Sequence, residues 1–250
     1  MKKKKILKRI LYGFGIFIVL ILLVAGGFYL KIRSQLKEMN VIENKEVVTN
    51  IFAIKDSFVN MFLVKDSNQY IAIDAGNDIQ VITSELAKLA INPDFVTAVF
   101  LTHSDADHVA ALKLFKNAKI YLAKEEVHMM NGDKSKFLWF GNDIKTKDYI
   151  TLNDQQTLQI NHTKIQGILT EGHTSGSMCY LINDTYLFVG DAMSLKDGKL
   201  DKPNSFFTVD NPTAQKSMSK VTSLPNATCI FTAHYGFTND YKTAVKDLNK

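Results

Sequence analysis

Phe95-Val96-Thr97-Ala98-Val99-Phe100-Leu101-Thr102-His103-Ser104-Asp105-Ala106-Asp107-His108 joins an apolar, β-branched run to a cluster of two imidazoles and two carboxylates. The run reads as a buried strand, so the cluster stands where a strand ends. Beyond it Val109, Leu112 and Phe115 recur at helical spacing, which predicts a helix over 108–116 with His103, Asp105 and Asp107 in the connecting loop. Divalent cations take imidazole nitrogen and carboxylate oxygen as ligands, and four such groups this close repel or stay unpaired without a cation. A polar, solvated turn with two incidental histidines is the plain alternative.

Upstream of this stretch, apolar segments over 47–54, 58–64 and 70–73 predict an antiparallel meander. The third segment ends in Asp74-Ala75-Gly76. Asp before glycine is a common turn residue, but at a strand end it can also support metal ligands from behind, and that role is expected of Asp74. Ile79, Ile82, Leu86 and Leu89 then mark an amphipathic helix closed by Asn92-Pro93, and a short strand is expected over 119–123. Strand and helix alternate, which predicts an α/β protein with its functional loops at strand ends.

Residues 124–148 lack a clean period and contain the aromatic patch Phe137-Leu138-Trp139-Phe140-Gly141, either a cover for the core or a loop facing substrate or membrane. His128 and His162 read as surface histidines. Strands return over 157–160, 164–169, 178–182, 185–189 and 227–233, and Asp210-Asn211-Pro212-Thr213 signals a helix start. Three of these strands border Gly172-His173-Thr174-Ser175-Gly176, Gly190-Asp191 and His234-Tyr235-Gly236. Taken singly, His173 is a turn donor, Asp191 a cap and His234 a tucked-in histidine. Taken with His103, Asp105, Asp107 and His108 they make seven nitrogen and oxygen donors, enough for two metal ions with positions open to water. Cys179 and Cys229 each lie in an apolar run and read as small buried hydrophobes, with a bridge between them also open.

With these motifs in this order, the chain over 47–250 resembles the metallo-β-lactamase superfamily. The motifs concerned are His-x-His-x-Asp-His, a later Gly-His-Thr-x-Gly-Ser, a Gly-Asp and a final histidine before a glycine-containing turn. The resemblance implies an αββα sandwich, two mixed sheets packed face to face with helices outside. It also implies that His103, Asp105 and His173 hold one metal, that Asp107, His108 and His234 hold the other, and that Asp191 bridges them. Asp105 departs from the pattern, since it stands where the family has a second histidine. Carboxylate is the harder donor, so zinc is the expected ion with iron or manganese as alternatives.

The chain begins differently. Residues 1–33 hold eight basic side chains and no acids, and 10–30 is an uncharged run of 21 residues, long enough to cross a bilayer as a helix. Six basic residues precede the run and two follow it, so the positive-inside bias places the N-terminus in the cytoplasm and the rest outside. An uncleaved anchor is expected over a cleaved signal peptide, because Ala25-Gly26-Gly27-Phe28 is a poor cleavage site. The chain therefore divides into anchor (1–33), linker (34–46) and one domain (47–250).

The expected activity is that of a metallo-hydrolase, with a metal-bound hydroxide attacking an ester, thioester, lactone or lactam. Asp107 would also orient the water, and Tyr235 would either donate to the developing oxyanion or only pack beside His234. The Gly-His-Thr-x-Gly-Ser motif looks like glyoxalase II and its hydrolase relatives. The His-x-Asp-x-Asp-His variant also looks like the nuclease domain of bacterial DNA-uptake channels, which keeps a phosphodiesterase as an alternative. Against it, residues after 33 carry net charge −3 and no basic run, so nucleic acid is not the expected partner and a small-molecule substrate is. A di-iron redox protein resembling the flavodiiron oxygen reductases is a third reading, but the length leaves no room for a flavin domain. A non-catalytic metal-binding module is the last.

Overall fold

The computed structural model describes residues 2–136, 144 and 148–248, so the aromatic patch over 137–141 lies outside the described residues. It divides into two units, Met1–Met39 and Asn40–Lys250. The first is a single helix, α1 (Lys2–Lys37), about 54 Å long at 1.5 Å per residue. Its segment Lys8–Lys37 is long and apolar enough to cross a membrane, and apolar side chains such as Leu11, Phe17 and Leu23 are exposed.

The second unit is built on two sheets. One runs β1 (Lys45–Val48), β2 (Ile51–Asp56), β3 (Val59–Asp66), β4 (Gln69–Ile73), β5 (Val96–Phe100), β6 (Lys119–Ala123) and β7 (Tyr149–Leu152) in that order. Its first four strands pair antiparallel and the rest parallel. The other sheet takes β8 (Thr157–Ile160), β9 (Thr163–Leu169), β10 (Met178–Ile182) and β11 (Tyr186–Gly190). A two-stranded ribbon, β12 (Ser194–Lys196) and β13 (Lys199–Asp201), then intervenes before β14 (Cys229–Thr232) and β15 (Phe237–Thr238) complete that sheet. Within it β11 and β14 are parallel.

Side-chain alternation explains why the strands read as continuous apolar runs. On β3, Phe62 and Val64 face the second sheet's Phe188 and Phe231 in a shared core, while Met61 and Leu63 pack in a separate cluster with Ile82 and Leu86 of α2 (Ile79–Lys88). On β10, Tyr180 and Ile182 point into the shared core. Cys179 and Leu181 point the other way, toward Met218, Val221 and Tyr241. Both faces of both sheets are thus covered, and the layers are helix, sheet, sheet, helix: the αββα sandwich. Both cysteines are free and buried, in separate clusters.

Two local expectations change. The segment over 47–54 is not one strand, because a tight turn with Asn50 at φ 66° folds β1 back onto β2, a left-handed conformation that Asn tolerates. The helix expected over 108–116 is instead a single turn, α3 (Ala106–Val109), followed by a 3-10 turn at Leu112–Leu114. The amides of Ala110 and Ala111 donate to the carbonyls of Gly76 and Ala75, so they are withdrawn from the helical ladder and the helix stops. Residues of the expected linker already join the body: Asn40 N donates to His234 O, and Ile42 N to Asn60 Oδ1 at 2.7 Å.

Candidate metal centre

The parallel strands β4, β5, β11 and β14 bring their carboxyl ends to one edge of the sandwich, and the candidate donors follow those ends. His103 and Asp105 leave β5, Asp107 and His108 lie on α3, Asp191 follows β11, and His234 follows β14. His173 comes from the turn between β9 and β10. There Gly172 has φ +133°, and a Cβ on it would meet Ala214 Cα at 2.3 Å, so only glycine lets the turn lie against α5 (Asn211–Ser217) behind the short α4 (Val127–Met130) in chain order. At the end of β11, Gly190 with φ +52° lets the backbone approach Thr102, whose Oγ1 would stand 2.5 Å from an added Cβ. A last helix, α6 (Tyr241–Val245), closes the outer layer.

All seven predicted donors converge. Ligand atoms of His103, Asp105 and His173 lie within 4.8 Å of one another, as do those of Asp107, His108 and His234, and those of His103, His108 and Asp191. Asp191 reaches both flanking groups: Oδ1 is 3.1 Å from His234 Nε2 and 3.5 Å from His108 Nε2, and Oδ2 is 3.5 Å from His173 Nε2. Asp105 Oδ2 stands 3.2 Å from His173 Nε2 and 3.4 Å from His103 Nε2. The four imidazoles are buried, and the carboxylates of Asp105, Asp107 and Asp191 are partly exposed.

Each imidazole is oriented through Nδ1, which turns Nε2 toward the centre. His108 Nδ1 donates to Asp74 Oδ2 at 2.8 Å, and His234 Nδ1 to the Phe58 carbonyl at 2.7 Å. Thr102 Oγ1 donates to Asp74 and accepts from His103 Nδ1 at 3.0 Å, so one buried carboxylate steadies two rings. Thr208 Oγ1 faces His173 Nδ1 at 3.5 Å. Asp74 therefore has the supporting position expected of it.

Burial disfavours charge on Asp191, His108 and His173, and at the first two the neighbours decide otherwise. Burial pushes the Asp191 carboxyl upward, but the imidazoles of His234 and His108 outweigh it and hold it well below the usual carboxylate range. His108 is driven well above the ordinary histidine value, because Asp74, Asp107 and Asp191 overcome its burial. His173 goes the other way, to about 4, through burial and then the nearby Lys136 ammonium. It is a neutral ring with a lone pair to give.

These donors fit divalent cations. Nε2 of His103, Nε2 of His108 and Oδ1 of Asp191 are buried without a hydrogen-bond partner among the described residues, which costs about 1–3 kcal/mol per group unless something binds there. A cation already stands at the first group: Lys136 Nζ donates to Asp105 Oδ2 and, at 2.7 Å, to His173 Nε2. Asp105, which stands where a histidine was expected, thus shares one lysine partner with His173.

Of the remaining residues, Tyr235 places its ring 6.3 Å from that of His234, and its hydroxyl accepts from Asn204 Nδ2 at 3.2 Å. The side chains of His128 and His162 are exposed, belong to none of the three donor groups, and pair with Asp133 and Asp66 respectively. Lys136, Glu126, Thr208 and the Phe58 carbonyl were not legible in the sequence. Only Thr102, adjacent to His103, carried any local signal.

Comparison with known proteins agrees with this fold. The model of the metallo-beta-lactamase superfamily matches residues 54–234. The probable polyketide biosynthesis zinc-dependent hydrolase PksB of Bacillus subtilis (strain 168) is 34% identical over 131 residues, 51% of each chain. The chain thus spans about half the length of that relative. The hydroxyacylglutathione hydrolase of Shewanella halifaxensis (strain HAW-EB4) is 28% identical over 188 residues, 75% of this chain and 65% of that protein. Among solved structures, the subclass B3 metallo-beta-lactamase MEM-A1 from a soil metagenome library superposes with TM-score 0.64 at 12% identity, covering 85% of this chain and 94% of the other.

Proposed function

Because the chain belongs to the metallo-beta-lactamase superfamily, we propose that it is a metal-dependent hydrolase, with two zinc ions at the donor groups and an ester, thioester, lactone or lactam as substrate. The observation that carries this reading is the convergence of seven donors, among which Nε2 of His103, Nε2 of His108 and Oδ1 of Asp191 are buried without a hydrogen-bond partner among the described residues. His103, Asp105 and His173 would hold the first ion, Asp107, His108 and His234 the second, and Asp191 both. When bound, such a pair supplies an acidified water as nucleophile near neutral pH and a Lewis acid for the oxyanion.

The protein's own groups divide the remaining work. Asp74, Thr102 and the Phe58 carbonyl fix the rings, so little reorganisation is left for the reaction. Asp107, whose side chain is partly exposed, is the group proposed to orient a water. Tyr235, tethered by Asn204, is the proposed donor to the oxyanion.

Acyl substrates are preferred over phosphodiesters because the chain after residue 33 has net charge −3 and no basic run to track phosphates. Relatives named as hydrolases, one for hydroxyacylglutathione, support the same choice. The carboxylate of Asp105 favours one second reading, an iron-loaded centre, since it is a harder donor than imidazole. The apolar helix supports a membrane anchor, and the excess of basic residues before it supports an N-terminus in the cytoplasm with the body outside.

The test is metal analysis of protein purified without added zinc, followed by a panel of chromogenic esters, thioesters, lactones, a cephalosporin and bis-p-nitrophenyl phosphate. Zinc with turnover of an acyl substrate is expected. Turnover of the phosphodiester alone, or iron with no hydrolysis, overturns the proposal.

A further inference from the structure

Glu126 ends the 3-10 turn after β6 and is fully buried, although it sits in the polar run Lys124-Glu125-Glu126. Its carboxylate is divided between two loops. Oε1 accepts from Ser104 N at 2.9 Å and Ser104 Oγ at 2.7 Å. Oε2 accepts from Thr174 Oγ1 at 2.7 Å and Gly176 N at 3.0 Å. Ser104 lies between His103 and Asp105, and Thr174 follows His173. One carboxylate therefore joins the loop after β5, on the first sheet, to the turn before β10, on the second.

We propose that Glu126 is a positioning residue for the first donor group, setting the separation of His103 and Asp105 from His173; the inference rests on the two-ion reading above. A buried carboxylate is costly, and a residue of similar volume without charge would fill the same space at less cost. What only a carboxylate supplies at this size is two acceptor oxygens, each able to take two donors. A glutamine has one acceptor, and its amide would confront the hydroxyl and amide donors of whichever loop it faced. The second group is steadied differently, by Asp74 on His108 and the Phe58 carbonyl on His234. Loss of Glu126 should thus reach one ion and spare the other.

The experiment uses the full chain in detergent, stripped with a chelator and titrated with Co2+, with visible absorption and bound-metal stoichiometry as readouts. His173→Ala identifies which transition belongs to the first group. Wild type is expected to take two ions. Glu126→Gln should weaken only the first-group ion, by about 10–100-fold, as losses of such supporting partners do. Ser104→Ala and Thr174→Val, each removing the hydroxyl donor on one side of the tie and leaving the backbone amide, should give smaller losses at the same ion, and they carry the test if Glu126→Gln does not fold. Unchanged binding in these variants, or equal weakening of both ions, overturns the role of Glu126 while leaving the centre itself standing. Failure of the wild type to bind any ion overturns the two-ion reading and this inference with it.

Discussion

Lys136 Nζ lies 2.7 Å from His173 Nε2, and the same ammonium donates to Asp105 Oδ2. A divalent ion using those two atoms must displace the lysine, because a lone pair serves one partner at a time and two cations repel. Lys136→Met is therefore expected to bind the first ion roughly tenfold more tightly or better, the equivalent of one charge-assisted hydrogen bond. Competition titration against a chromophoric chelator measures this, and equal affinities for variant and wild type would rule out displacement.

Asp191 is the residue that reaches both donor groups, with oxygens 3.1 Å from His234 and 3.5 Å from His173. Asp191→Asn removes the charge while keeping the shape, and should lower both bound metal and turnover, the latter by about 100-fold or more if the carboxylate acts as a shared ligand. His128, whose side chain is exposed, is the control. His128→Ala should leave both quantities at wild-type values; matching losses in the two variants would contradict the assignment.

Asp66 pins the sheets together at another point, accepting from His162 N, His162 Nδ1 and Thr163 Oγ1 at 2.8–3.1 Å. Burial works against its charge, but these hydrogen bonds prevail and hold the carboxyl below its ordinary value. A depressed folded value means that the contribution is present above the unfolded value near 4 and is lost as pH falls through the folded one. Asp66→Asn should destabilise the body by about 2 kcal/mol at pH 7. The gap between variant and wild type in thermal melts followed by circular dichroism should narrow toward pH 3; a gap independent of pH would show that the charge is immaterial.

Gly172→Ala introduces a Cβ 2.3 Å from the Ala214 backbone at a φ of +133°. Strain and overpacking act together, and a loss of about 2 kcal/mol or more is expected. Because His173 follows directly, first-group metal affinity should fall as well, whereas wild-type melting and metal binding would mean that the turn relaxes freely.

Much of the architecture was readable along the chain. Strand over 119–123, helix from 79 and strand over 178–182 lie where the sequence periods put them. The exceptions have local causes that a period does not register: Asn50 in a left-handed turn, and the amides of Ala110 and Ala111 captured by the Asp74-Ala75-Gly76 turn.

The sequence by itself determined the chemistry of the donors and that each follows or precedes a strand, because residue type is explicit and strand periodicity is a property of neighbours. Tertiary structure alone decided what stands behind them. The partner of His234 Nδ1 is a carbonyl 176 positions away, and the carboxylate holding Ser104 and Thr174 belongs to a residue in an otherwise polar run. A side-chain period says which face a residue occupies. Which distant loop arrives opposite that face is settled only when two sheets pack on a common core, and that packing is what gathers Lys136, Glu126 and Phe58 around the centre.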